Sequence, residues 1–239
     1  MLLAVDIGNT RSKAAVFKDG SLLEHRIFPK GELKENVLSI LANSEITNVV
    51  MSSVGHEQID FDLPPHVSLN KITHDFNFPF TNLYQTPRTL GIDRMVLAAG
   101  ATLRYPGKNR LVVDAGTCIT YDFIDDKDQY HGGAISPGIR LRYEALHNYT
   151  AKLPLLSREM PEGFVGKSTA GSIHSGVVFG VLNEIDGFID RYSNSAENFI
   201  IILTGGDAEF LANRLKNTIF ANPNFLLESL ETIFIQNKK

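Results

Sequence analysis

One five-residue pattern occurs twice in this chain. Val5-Asp6-Ile7-Gly8-Asn9 lies near the N-terminus and Val113-Asp114-Ala115-Gly116-Thr117 near the middle, with valine, aspartate, glycine and a polar residue in the same order. Each copy ends a short predicted strand, Leu2 to Asp6 in one case and Arg110 to Asp114 in the other. Each is followed by a segment with the pattern of a returning strand, Arg11 to Phe17 and Cys118 to Ile124. A strand-aspartate-turn-strand order that heads two halves of a chain points to a hidden duplication. The expected fold is therefore α/β, with two similar lobes.

The remaining pattern fits that plan. Asp19-Gly20 supplies a second hairpin turn, with a third strand from Ser21 to Ile27. A helix is predicted over 32–41 and a strand over 48–51, followed by an irregular polar excursion from Pro64 to Pro87. A helix begins near Asp93, runs through the alanine-rich stretch to Leu103 and stops at Pro106-Gly107. The pattern then restarts, with a strand over 129–135, a long helix over 168–192 and a buried strand over 199–203 that ends in Thr204-Gly-Gly-Asp207. Helices around 208–215 and 225–233 close the chain. A boundary near Gly107 gives lobes of residues 1–107 and 108–239.

Composition narrows the function. The 239 residues are 43% hydrophobic with a formal charge of -4 and no run of Lys and Arg, which disfavours nucleic acid as a partner. The single cysteine, Cys118, excludes an intramolecular disulfide, and no Cys/His spacing suits zinc. No signal-peptide pattern and no run of ~20 apolar residues is present, so the expectation is a cytoplasmic protein without a membrane partner.

An aspartate that ends a strand before a glycine turn can face a counter-ion while the turn's N–H groups face phosphate oxygens. A single such turn is also an ordinary hairpin, but two copies heading two lobes favour a paired phosphate site. Gly166-Lys167-Ser168 resembles the end of a P-loop, yet Pro161 stands where that motif needs glycine. Ser168 or Thr169 reads instead as a helix N-cap. In Gly91-Ile92-Asp93-Arg94, Asp93 is placed either to cap a helix or to accept a proton from a substrate hydroxyl. Thr204 to Asp207 suits an adenine or ribose lying on bare backbone, or simply a strand-to-helix turn. The seven histidines show no metal-ligand spacing, and Cys118 is expected to be small and buried.

With Asp6 to Thr10, Gly91 to Arg94, Asp114 to Thr117 and Gly132-Gly-Ala-Ile-Ser-Pro-Gly138 together, the chain closely resembles type III pantothenate kinases. That resemblance runs nearly end to end. It implies two duplicated ribonuclease-H-like (actin-like ATPase) lobes with a nucleotide cleft between them, in the acetate and sugar kinase, chaperone and actin superfamily. It also implies ATP with Mg2+, a monovalent cation (K+ or NH4+), pantothenate as acceptor, and a homodimer. By position, Asp6, Ile7, Gly8, Asn9, Thr10, Arg11, Ser12 and Lys13 resemble the first phosphate-binding hairpin, with Asp6 toward magnesium. Asp114 resembles the monovalent-cation ligand and Thr117 a nucleotide contact. Tyr84, Gly91, Ile92, Asp93, Arg94 and Thr169 resemble the pantothenate contacts, with Asp93 as the base. Cys118 and His174 depart from the family pattern. The alternatives are another small-molecule kinase or phosphatase of the superfamily, or a nucleotide-driven switch without catalysis.

Overall fold

All six residues of the first strand, β1 (Leu2–Ile7), are buried, as a strand in the middle of a sheet requires. The computed structural model describes residues 1–8, 10–29, 31–53, 61–194 and 198–238. β2 (Arg11–Lys18) returns antiparallel to β1, and β3 (Ser21–Pro29) follows. The turn between β2 and β3 has Asp19 at φ 51° and Gly20 at φ 82°, the pair of positive angles that a tight type I′ hairpin demands. Helix α1 (Leu33–Ala42) buries Leu33, Val37, Ile40 and Leu41 on one stripe, then leads to β4 (Asn48–Ser53), parallel to β1. β5 (Ser68–Lys71) adds to β4, which completes the order β3-β2-β1-β4-β5.

The excursion between Pro64 and Pro87 is more regular than its composition suggested. It holds β5, the two-residue β6 (Thr81–Asn82) and the start of a short 3-10 turn, Pro87–Thr89. β5 escapes a reading by alternation because neither of its faces is fully buried. Helix α2 (Ile92–Arg104) follows, with ten buried residues.

The second half repeats the plan. β7 (Asn109–Ala115) and β8 (Cys118–Ile124) form an antiparallel pair, β9 (Gln129–Pro137) lies beside β8, and β10 (Phe199–Thr204) runs parallel to β7. With β11 (Phe220–Ala221) the order runs β6-β9-β8-β7-β10-β11, in which the five strands after β6 repeat the arrangement of the first sheet. Between these strands lie α3 (Ile139–Asn148), the 25-residue α4 (Thr169–Ser193) and α5 (Ala208–Ala212). α3 has no counterpart among the predicted elements, and α5 ends earlier than predicted. The chain closes with α6 (Phe225–Gln236).

By packing, the chain divides into one unit of Met1–Pro106, Asp128–His131 and Asn224–Lys239, and another of Gly107–Lys127 and Gly132–Pro223. The first unit thus includes α6, which a single cut near Gly107 leaves with the second lobe. The reason is packing against α2: a Cβ on Gly100 would fall 1.9 Å from Ser229 Oγ, so the two helices meet where only glycine leaves room. The core of the second unit joins Leu111, Val113, Ile119 and Tyr121 to Val177, Val181 and Ile185 of α4. Cys118 is exposed rather than buried. Ile119 and Tyr121 take the inward positions of β8, and strand alternation turns Cys118 outward.

Candidate active site

Asp6 ends β1 between two neighbours set by strand register. Lys13 of β2 lies opposite on one side and Ser52 of β4 on the other. The side chain is buried, with 6% of the residue exposed, and Ser52 Oγ donates to Asp6 Oδ1 at 2.8 Å. Burial, the largest influence, pushes the carboxyl up to about 6. The Ser52 hydrogen bond pulls it down, the nearby charge of Asp93 pushes it further up, and Lys13 opposes that rise. Two carboxylates that feel each other in a desolvated corner form a site that favours a cation.

Asp93 stands in the first turn of α2, where the helix dipole favours negative charge. Its Oδ1 accepts the Arg94 N–H at 2.8 Å, so the carboxylate is aimed by its own backbone. Gly91, the N-cap, explains itself: a Cβ there would lie 2.4 Å from Asp93 Oδ1. Ile92 and Arg94 are buried, and the Arg94 guanidinium lies 5.7 Å from the centre of the Tyr84 ring. The Tyr84 N–H donates to Asn82 Oδ1 at 2.9 Å, which ties this ring to β6. The structure therefore gathers Asp6, Lys13, Ser52 and Asp93, and next to Asp93 the pair Arg94 and Tyr84.

The first turn is tight. A Cβ on Gly8 would meet the Arg11 carbonyl oxygen at 2.8 Å. Thr10 is partly buried, Arg11 is exposed at the start of β2, and Ser12 is buried opposite Ile7. Asn9 lies outside the described residues.

In the second unit Asp114 ends β7, in register with Thr120 of β8 and Thr204 of β10. Gly205 has φ +96°, and a Cβ on it would fall 2.4 Å from both Asp114 Oδ1 and the Ala115 carbonyl oxygen. The Asp207 N–H donates to that same carbonyl at 2.9 Å. Burial raises the Asp207 carboxyl, partly offset by the Arg158 guanidinium that pairs with it. Thr117 offers its carbonyl to the Gly138 N–H at 3.0 Å. Thr169 is the exposed first residue of α4, and Ser168 Oγ caps that helix by accepting the Gly171 N–H at 3.1 Å. Among the described residues no group of three or more His, Cys, Asp and Glu side chains is placed to hold a metal, and no helix is long and apolar enough to cross a membrane.

Ser52 escaped the sequence reading. It is 46 residues from Asp6 and joins it only through parallel strand register, which leaves no local trace.

Comparison with solved structures defines the class. A conserved Campylobacter jejuni protein assigned to the Baf family of transcriptional activators matches with a TM-score of 0.63 at 22% identity, covering 99% of this chain and 98% of that one. A Listeria monocytogenes protein assigned as an N-acetylmannosamine kinase matches with a TM-score of 0.57 at 14% identity, covering 100% and 99%. At such identities the likeness speaks for the fold, which is the two-lobed ribonuclease-H-like fold of sugar kinases and actin-like ATPases. Sequence comparison carries the assignment further: the family model for type III pantothenate kinase matches residues 2–191. A type III pantothenate kinase of Flavobacterium johnsoniae is 60% identical over 237 residues, covering 98% of this chain and 97% of the relative. The chain belongs to the type III pantothenate kinase family.

Proposed function

We propose that this protein transfers the γ-phosphoryl group of ATP to the hydroxyl of pantothenate, the first step of coenzyme A synthesis, and that it does so in the cytoplasm. The observation that carries this reading is the electrostatic coupling of Asp6 and Asp93, which sets a buried carboxylate and a helix-oriented one in a single corner. Phosphoryl transfer has a loose transition state, so alignment and charge neutralisation provide most of the acceleration. Asp93, held by the Arg94 N–H, receives the proton of the acceptor hydroxyl. Tyr84, Gly91, Ile92, Arg94 and Thr169 contact pantothenate, and the buried Arg94 contributes positive charge there.

Asp6, Ile7, Gly8, Asn9, Thr10, Arg11, Ser12 and Lys13 receive the phosphates, on a turn so tight that the Arg11 carbonyl leaves space only for glycine at position 8. Thr117 serves as a nucleotide contact. Asp6 suits magnesium because its buried carboxylate has only the partial compensation of Ser52 and Lys13. When bound there, the ion would neutralise phosphate charge. Asp114 suits K+ or NH4+, since its Oδ1 and the Ala115 carbonyl are hard oxygen donors brought together over the bare Gly205 backbone. The working form is a homodimer. Tyr149, Leu155, Phe164 and Val165, all exposed in the stretch that leads to Thr169, support a second copy covering that surface.

ADP release from ATP, measured with and without pantothenate and with and without potassium, tests the reading. Release should require pantothenate and rise with potassium. ADP release at one rate regardless of pantothenate would favour a nucleotide switch.

A further inference from the structure

Glu184 of α4 collects three hydrogen bonds from three elements of the second unit. Tyr121 Oη of β8 donates to Oε1 at 3.0 Å, Ser136 Oγ of β9 donates to the same oxygen, and Arg142 Nη2 of α3 donates to Oε2 at 2.6 Å. Arg142 also donates through Nε to the Pro137 carbonyl at 2.9 Å. One carboxylate and one guanidinium therefore fix both Ser136 and Pro137. The next residue, Gly138, donates its N–H to the Thr117 carbonyl at 3.0 Å. There is no slack at that contact, because a Cβ on Gly138 would fall 2.1 Å from the Gly116 carbonyl oxygen and 2.6 Å from that of Thr117.

We infer that Glu184 is a positioning residue for the nucleotide turn at Gly116 and Thr117, acting through Arg142 and the Ser136-Pro137-Gly138 segment. This rests on the reading of Thr117 as a nucleotide contact and assigns the machinery that sets its position. Glu184 stays ionised in this role. Burial alone would lift its carboxyl, but hydrogen bonds from Arg142 and Ser136 hold it below the ordinary value. Arg142 is suited by its fork, which serves the carboxylate with one nitrogen and the Pro137 carbonyl with another. Lysine cannot do both.

A second carboxylate on α4 supplies the control. Asp186 accepts the Lys216 N–H at 3.0 Å and the Asn217 side-chain N–H at 3.1 Å, both outside the 136–138 segment. Tyr121 cannot serve, because its hydroxyl bonds Ser136 as well as Glu184. If Glu184 merely held the unit together, losing the bonds of either carboxylate would affect catalysis and melting alike. If it positions the turn, only the bonds on the Ser136 and Arg142 side should reach ATP.

The experiment measures KM for ATP, KM for pantothenate and the melting temperature of wild type, Glu184→Gln, Arg142→Lys, Ser136→Ala and Asp186→Asn. Glu184→Gln and Arg142→Lys should raise KM for ATP about tenfold, with KM for pantothenate unchanged. Ser136→Ala should raise it less, and Asp186→Asn should lower the melting temperature without changing KM for ATP. Should Glu184→Gln fail to fold, Arg142→Lys and Ser136→Ala carry the same comparison. A normal wild type beside Glu184, Arg142 and Ser136 variants with unchanged KM for ATP, or an Asp186→Asn that raises it equally, overturns the inference alone. A wild type without saturable dependence on ATP overturns the functional reading and this inference together.

Discussion

Ser52 and Asp6 face each other across the parallel ladder of β1 and β4, and the Ser52 hydroxyl donates to the Asp6 carboxylate at 2.8 Å. This bond favours the ionised form of a carboxyl that burial drives toward protonation. Ser52→Ala removes about 1.5–3 kcal/mol of support for the charged form. The acid limb of the activity profile should then move to higher pH, with turnover near pH 8 less affected. A pH profile of kcat/KM for ATP checks this.

Asp6 itself costs stability. Its folded carboxyl titrates near 6 against an ordinary 3.8, so the unfolded chain ionises more readily than the folded one. The contribution of Asp6 to stability is therefore most favourable below about 3.8, falls as pH rises through that window, and is least favourable above 6, by about 3 kcal/mol. Asp6→Asn should abolish turnover yet melt higher than wild type at pH 8 in metal-free buffer, with the difference gone near pH 4. Paired melting curves at the two pH values decide it.

Asp93 is assigned the proton of the acceptor hydroxyl. Asp93→Asn should lower kcat by at least ~100-fold while ATP still binds, as titration calorimetry would show. Near-normal turnover by the variant would remove it from that role.

Gly205 lies against Asp114 with no room for a side chain. Gly205→Ala adds a left-handed strain of about 1–3 kcal/mol and presses on both Asp114 Oδ1 and the Ala115 carbonyl. The potassium concentration for half-maximal activity should rise severalfold, with KM for pantothenate unchanged. An unaltered potassium response would detach Asp114 from the cation.

Much of this was legible in residue order because the informative features are local. Turn chemistry at Asp19-Gly20, the repeated aspartate turns and the cap at Ser168 each depend on a few adjacent residues. Helix α3 was missed although Ile139 and Tyr143, four apart, form its buried stripe. Only two of its residues are buried, and Arg140 and Arg142 near its start oppose the usual charge preference. Ser52 and Glu184 were illegible for another reason. Each acts through partners distant in sequence, by strand register in one case and helix packing in the other. The return of α6 to the first unit belongs to the same class, because the close contact of Gly100 with Ser229 is visible only once the helices are packed.

The most direct measurement follows the label from γ-labelled ATP into a panel of acceptors containing pantothenate, sugars and short carboxylates. The account predicts that label enters pantothenate alone, in wild type and not in Asp93→Asn. Label on a different acceptor, or only in inorganic phosphate whatever is added, would contradict it.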